Sequence, residues 1–157
     1  SPVAGLRNMR KTLKPGGVMT MVVWRGSKDN PWLGHAKEVV LKFLPPPGEN
    51  ALSCGPGPFS MADTGVVTKQ LEIAGYTGIE FEQVDAELFV GKDVDDAVAF
   101  QLALGPAGEV YREAGELAEK RHDEIAAALR VELAKYQRPN GIIMDSSSWK
   151  VTARNPG

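Results

Sequence analysis

Leu13-Lys14-Pro15-Gly16-Gly17-Val18-Met19-Thr20-Met21-Val22-Val23-Trp24 is the stretch that decides the fold class. Pro15-Gly16-Gly17 stops a helix and turns the chain. The run after it is apolar at every position but Thr20. A half-buried strand alternates. A continuous apolar run framed by turn residues fits a strand covered on both faces, as in a parallel sheet. Such a strand needs neighbours, and only one short helical stretch precedes it. The expectation is a chain that begins in the middle of an α/β domain.

Working outward, Leu6, Met9 and Leu13 recur at helical spacing behind Pro2. Arg7, Arg10, Lys11 and Lys14 crowd the carboxyl end of that helix, where its dipole favours cations. Downstream, Asn30-Pro31 opens a helix with the stripe Leu33, Ala36, Val40 and Phe43. Pro45-Pro46-Pro47 closes it, and a long loop runs to Met61, the kind of segment that often serves as a lid. Asp63 caps a helix over 64–74 that Gly75 ends. Residues 79–90 read as a long strand. Its apolar phase slips, which predicts a bulge or bend near Glu82-Gln83.

Residues 93–104 read as a helix capped by Asp93, and Gly105-Pro106 breaks it. Residues 107–135 are helical with a break near Gly115, and Leu117, Ile125, Leu129, Leu133 and Tyr136 form its stripe. The end of the chain reads as a strand in two parts, 141–144 and 149–154. Asp145-Ser146-Ser147-Ser148 forms a polar loop or bulge between them. A serine nucleophile there needs a base and an oxyanion hole, and the sequence signals neither.

Composition narrows the function. At 157 residues, 43% hydrophobic and 24% charged, the chain can build one domain, 1–157, with a real core. A net charge of −2 with interspersed signs offers no basic stripe for nucleic acid. No apolar run has the length to span a bilayer, and no signal-peptide pattern opens the chain. The single Cys54 fits a reducing compartment, so the expected location is cytoplasmic. His35 and His122 lie far apart without ligand-spaced partners, so no metal site is expected.

The ordered set Leu6-x-x-Met9-x-x-x-Leu13-Lys14-Pro15-Gly16-Gly17, Asn30-Pro31-Trp32, Gly57-Pro58-Phe59-Ser60, Ala62-Asp63, Ala74-Gly75-Tyr76, Leu104-Gly105-Pro106 and Trp149-Lys150-Val151-Thr152-Ala153-Arg154 resembles a known family. It is similar to the carboxyl-terminal half of class I S-adenosylmethionine-dependent methyltransferases, of the small-molecule type related to ubiquinone/menaquinone-biosynthesis methyltransferases. The resemblance covers nearly the whole chain.

The resemblance implies an α/β, partial Rossmann-like methyltransferase fold. Residues 18–24, 79–90 and 141–154 are its last three strands, in a mixed sheet whose closing strand inserts antiparallel between the other two. Segments of about 30–61 and 93–136 are its helical cap over a small-molecule substrate. The family's cofactor is S-adenosylmethionine. The glycine-rich loop and the ribose-binding acid that hold it belong to strands absent here, so tight cofactor binding by this chain alone is not expected. Gly55-Pro56-Gly57 is no substitute, because it follows no strand and its prolines lack amide donors.

Ligands in open α/β sheets bind beyond the carboxyl ends of strands. That rule makes Trp24 and Arg25 substrate-binding candidates. Trp32 and Phe59 complete an aromatic wall with Trp24, or else the tryptophans pack the core. His35 follows Trp32 and either faces that pocket or packs between helices. Phe100, Leu104 and Tyr111 are the cap residues placed to face substrate, against core packing of an amphipathic helix.

A partial fold leaves the apolar strand as an open edge. The expected partners are therefore a second copy of the chain or a missing amino-terminal half. Two functions follow. One is the substrate-side portion of a methyltransferase, inactive alone. The other is a non-catalytic oligomeric ligand-binding or scaffold module derived from that fold.

Overall fold

The computed structural model describes residues 1–48 and 57–157. Among them the order is α1 (Pro2–Thr12), β1 (Val18–Trp24), a 3-10 turn (Ser27–Asp29), α2 (Pro31–Val40), α3 (Thr64–Ala74), β2 (Thr77–Gly91), α4 (Val94–Ala103), α5 (Gly105–Ala114), α6 (Glu116–Lys120), α7 (His122–Ala134), β3 (Gln137–Arg138) and β4 (Gly141–Arg154). Of the Gly55-Pro56-Gly57 triplet, Gly55 and Pro56 lie outside the described residues, as does Cys54.

Local chemistry sets the element ends. The Asp63 carboxylate accepts the Val66 amide at 2.9 Å, and the Asp93 carboxylate accepts the Asp96 amide at 2.8 Å. Each satisfies an orphan donor of a first helical turn. Gly75 ends α3 at φ 94°, and Gly115 separates α5 from α6 at φ 53°. Asn30 precedes α2 as expected but caps no amide there. Its side-chain oxygen accepts the Trp32 indole N–H at 3.2 Å instead.

The sheet runs β1-β4-β2, with the short β3 also paired to β4. Its pairing is antiparallel throughout, Val18 opposite Arg154 through Trp24 opposite Ser148 on the β1 side. Three expectations change here. The sheet is antiparallel rather than mixed, and β3 makes a fourth strand. Residues 145–148 are strand rather than loop, because β4 is continuous. Their hydroxyls find non-local partners: Ser146 Oγ donates to Ala86 O at 2.8 Å and Ser147 Oγ to Asp85 Oδ1 at 2.5 Å.

The third change concerns β1. Met19, Met21 and Val23 turn inward, whereas Val18 and Val22 stay 48% and 66% exposed and Thr20 is exposed too. An apolar run fixes a strand, but what covers each face is decided by distant segments.

The chain divides into two compact units. Unit 1 is 1–26, 58–85 and 147–157; unit 2 is 27–57 and 86–146. In unit 1, Leu6 of α1 and Val67, Leu71 and Ala74 of α3 pack with Met19, Tyr76, Val151 and Ala153, and Ile79, Phe81 and Trp149 lie against them. Met9, expected in this stripe, is 46% exposed.

Arg10 and Lys11 stand in the last turn of α1 as expected, and Arg7 and Arg10 also reach another helix. Arg7 donates to Ile73 O at 3.1 Å and Arg10 Nε to Ala74 O at 2.9 Å, satisfying the last carbonyls of α3. Arg10 also donates to Asn155 Oδ1 at 3.0 Å. Asn155 Nδ2 donates to Leu13 O and Lys14 O at 2.9 and 3.3 Å, and its backbone pairs with Gly16 and Gly17. The Pro15-Gly16-Gly17 turn is held by the residue after β4.

Unit 2 is a helical core. Val40, Ala97, Val110, Ile125, Leu129 and Leu133 surround one another with Val90, Ile142 and Met144 from the strands. Leu117, placed in this stripe by sequence, is 44% exposed. Within unit 1, β2 gives odd-numbered Ile79 and Phe81 to the core; within unit 2 it gives Val90. The change of phase marks the change of core between Asp85 and Ala86. The contacts Lys150–Glu82, Ser147–Asp85 and Ser146–Ala86 keep one offset across the position where a bulge was expected.

Two glycines allow backbone-to-backbone packing in unit 2. A Cβ on Gly141 (φ 126°) would fall 2.5 Å from Gly91 O, and one on Gly91 2.5 Å from Ala97 N. Among the described residues, no helix is long and apolar enough to cross a membrane.

Candidate functional site

In unit 1 the candidate positions gather where β1 ends. Trp24, half-buried, is its last residue, opposite Ser148. Arg25 extends the ladder one step, its amide donating to Ser147 O at 3.0 Å. That pairing aims the side chain. Arg25 Nη1 donates to Ser147 Oγ at 3.0 Å, and the guanidinium lies 4.9 Å from the Trp149 ring centroid, within cation–π range.

Ser147 Oγ passes its own proton toward Asp85 Oδ1, while Gln83 Nε2 donates to both Asp85 oxygens at 3.1 and 2.9 Å. The Trp149 indole N–H donates to Ala62 O at 3.0 Å, and the Ala62 amide to Phe59 O at 3.1 Å. Half-buried Phe59 therefore sits in a turn tied to the same tryptophan.

Electrostatics fixes the protonation of this set. The Ser147 hydroxyl, then the Gln83 amide, hold the Asp85 carboxyl below the usual carboxylate range; burial opposes them and the Arg25 charge adds to them. Asp85 is thus a firm carboxylate and a poor proton acceptor. Ser147 accepts a hydrogen bond from the Arg25 guanidinium and donates one to the Asp85 carboxylate, so it relays position rather than acting as a nucleophile.

One consequence is measurable. Ser147→Ala removes the largest cause, so the Asp85 carboxyl should titrate at higher pH, as read by carbon NMR of the side-chain carboxyl. The sign follows from a depressed folded-state pKa. Stability from this set is present above the unfolded pKa and is lost as pH falls through the folded one. An unmoved Asp85 titration in the variant would contradict the assignment.

Unit 2 holds the remaining candidates. Trp32 and Phe100 stack with centroids 6.5 Å apart at 28°, and both pack against the helical core. Gln101, 1% exposed, donates through Nε2 to Trp32 O at 2.5 Å. His35 Nδ1 lies 2.8 Å from the Tyr136 hydroxyl and 3.5 Å from Glu132 Oε1, and Glu132 Oε2 accepts from Lys135 Nζ at 2.6 Å. Burial first, then the Glu132 carboxylate, pushes the Tyr136 phenol up, so it keeps its proton at neutral pH. Tyr111 meets His122 Nδ1 through its hydroxyl at 2.8 Å, edge-on at 81°.

Of the eight sequence candidates, Trp24, Arg25 and Phe59 belong to unit 1, and Trp32, His35, Phe100, Leu104 and Tyr111 to unit 2, with Leu104 exposed. Trp32 and Phe100 meet one another. His35 and Tyr111 each meet a residue the sequence did not link to them. Sequence reasoning missed Gln83, Asp85 and Tyr136 as partners and read Ser147 as loop. One signal for Ser147 was present: continuing the alternation Ala153, Val151, Trp149 backward puts Ser147 on the same face.

Among the described residues, no three His, Cys, Asp or Glu side chains are grouped to hold a metal ion. No protein-family model matches the chain, and no curated protein matches it either.

Proposed function

We propose that this chain is the carboxyl-terminal, substrate-side portion of an S-adenosylmethionine-dependent small-molecule methyltransferase. One observation supports the reading most: β4, last in sequence, lies between β1 and β2 and antiparallel to them. A partial Rossmann-like fold of this family closes its sheet in that way. The helices contributed by 30–61 and 93–136 fit its substrate cap, and the single Cys54 suits a cytoplasmic setting.

S-adenosylmethionine does not fit the residues described. Its family site needs a glycine-rich turn from a strand into a helix, with amides open to the ligand. β1 instead leaves through Arg25-Gly26 into a 3-10 turn, and Arg25 is engaged with Ser147. This chain's part is to bind and orient the methyl acceptor and to exclude water from it. The side chains offered for that role are Trp24, Arg25 and Phe59 within unit 1 and, as a separate set, Trp32, His35, Phe100 and Tyr111 within unit 2. The cofactor belongs to residues this sequence does not contain, so the chain alone is inactive.

Calorimetry tests both parts. The 157-residue chain titrated with S-adenosylmethionine should give no binding heat. The same chain joined to the residues encoded immediately upstream should bind it at micromolar concentration. Binding by the short chain would overturn the placement of the cofactor site. No binding by the longer protein would overturn the methyltransferase reading itself. A second reading, a non-catalytic oligomeric binding or scaffold module, is favoured by the uncharged β1, which has no strand on its outer side among the described residues.

A further inference from the structure

Within unit 2, β3 and β4 form a hairpin with Gln137 opposite Ile142 and Arg138 opposite Gly141. Pro139 and Asn140 are the two residues of its turn. Asn140 is exposed, whereas Gly141 is buried. A two-residue hairpin turn matches the twist of its strands when one or both of its residues take positive φ. Pro139 cannot do so, because its ring holds φ negative. Among the described residues only glycines have positive φ, so Asn140 does not do so either. The turn therefore splays the strands that it joins. β3 is only two residues long, so few bonds hold the hairpin end shut. An end of this kind opens locally at small cost.

Asn140-Gly141 is also the one Asn-Gly pair in the sequence. From this we infer that Asn140 is a site of spontaneous covalent modification, which passes through a succinimide to isoaspartate and aspartate. The Gly141 nitrogen loses its proton and attacks Cγ of Asn140. A new N–Cγ bond closes a five-membered ring, and the side-chain nitrogen leaves as ammonia. Water then opens the ring at either carbonyl. No electrons are gained or lost. The attack needs a following residue with an N–H and no side chain in the way, which glycine supplies. Asn30 and Asn155 are buried and precede prolines, which have no N–H, and Asn8 is held inside α1.

The isoaspartate product reroutes the main chain through Cβ and Cγ, adding one carbon ahead of Gly141. That position has no slack, since even a Cβ on Gly141 would fall 2.5 Å from Gly91 O. The same hairpin carries Tyr136, whose carbonyl accepts the Ile143 amide at 3.1 Å and whose hydroxyl meets His35 Nδ1 at 2.8 Å. Modification thus loosens the start of β4 and the support of Tyr136. It does not depend on the methyl-transfer reading.

Ageing the 157-residue chain at mildly alkaline pH, then digesting it with trypsin, tests this. Trypsin cuts after Lys135 and Lys150 but not between Arg138 and Pro139, so one peptide, 136–150, carries Asn140. That peptide should gain one mass unit at Asn140, mostly as isoaspartate by electron-transfer fragmentation. The gain should be several-fold faster than at Asn8 and should quicken as pH rises. The aged protein should melt below the fresh protein. Asn140→Gln, aged alongside, should keep its mass at that position and its melting point, because glutamine would have to close a less favourable six-membered ring. A mass that is stable in the folded chain but rises in urea would show that the turn shields Asn140, and would overturn the proposal. So would equal rates at Asn8 and Asn140, or a modified protein that melts like the fresh one.

Discussion

Replacing Gly141 by valine should yield insoluble protein, and even Gly141→Ala should melt about 10 °C below the unmodified chain. Two costs add. The backbone there has φ 126°, a region that favours glycine. Holding another residue in it costs roughly 1–3 kcal/mol. The new Cβ also falls 2.5 Å from Gly91 O and 2.7 Å from the Phe89 ring. The ring can shift, whereas the carbonyl belongs to β2, and Gly91 itself packs on Ala97 of α4. Overpacking of this kind costs roughly another 1–3 kcal/mol. About 4 kcal/mol is a large part of a typical total stability of roughly 5–15 kcal/mol. Thermal unfolding followed by circular dichroism checks it; a melting point within about 2 °C of the original would show that β4 does not start against the Gly91 carbonyl.

Asn155→Ala should cost roughly 3 kcal/mol, a fall in Tm of about 6–12 °C for a chain of this size. The residue is 5% exposed, and its side-chain amide touches four groups: Leu13 O, Lys14 O, the Arg10 guanidinium and the Gly157 amide. Leu13 O and Lys14 O lose their side-chain donor, and the Arg10 guanidinium loses one acceptor. Asn155→Asp separates the contributions. It keeps the acceptor for Arg10 but turns a carboxylate oxygen toward two carbonyl oxygens, so it should destabilise as well. If Asp were neutral and Ala costly, the contacts accepted by Oδ1, from Arg10 and the Gly157 amide, would carry the effect.

The readable parts of this fold are those that short-range chemistry decides. Asp63, Gly75, Asp93 and Gly115 close helix ends through bonds to residues three or four positions away, and each stands where its type predicts. The misread parts depend on remote segments. Arg10 looks like a favourable charge at its own helix end, yet its partners are Ala74 and Asn155. Ser146 and Ser147 look like loop because their hydroxyls need acceptors, which β2 supplies from 60 and 62 positions away. The candidate site behaves alike. The rule about strand ends picks out Arg25, but nothing local pairs it with Ser147 at a separation of 122, or His35 with Tyr136 at 101.

The sheet order also fixes a sequence of events during synthesis. β1 leaves the ribosome well before β4, the strand described beside it. Asn155, which locks the turn before β1, follows Leu13 by 142 positions. At roughly 5–20 residues per second, the sticky Val18–Trp24 segment waits on the order of 10 s before β4 can dock. Cellular yield of this protein should therefore depend on translation speed and on holdase chaperones more steeply than its final stability implies.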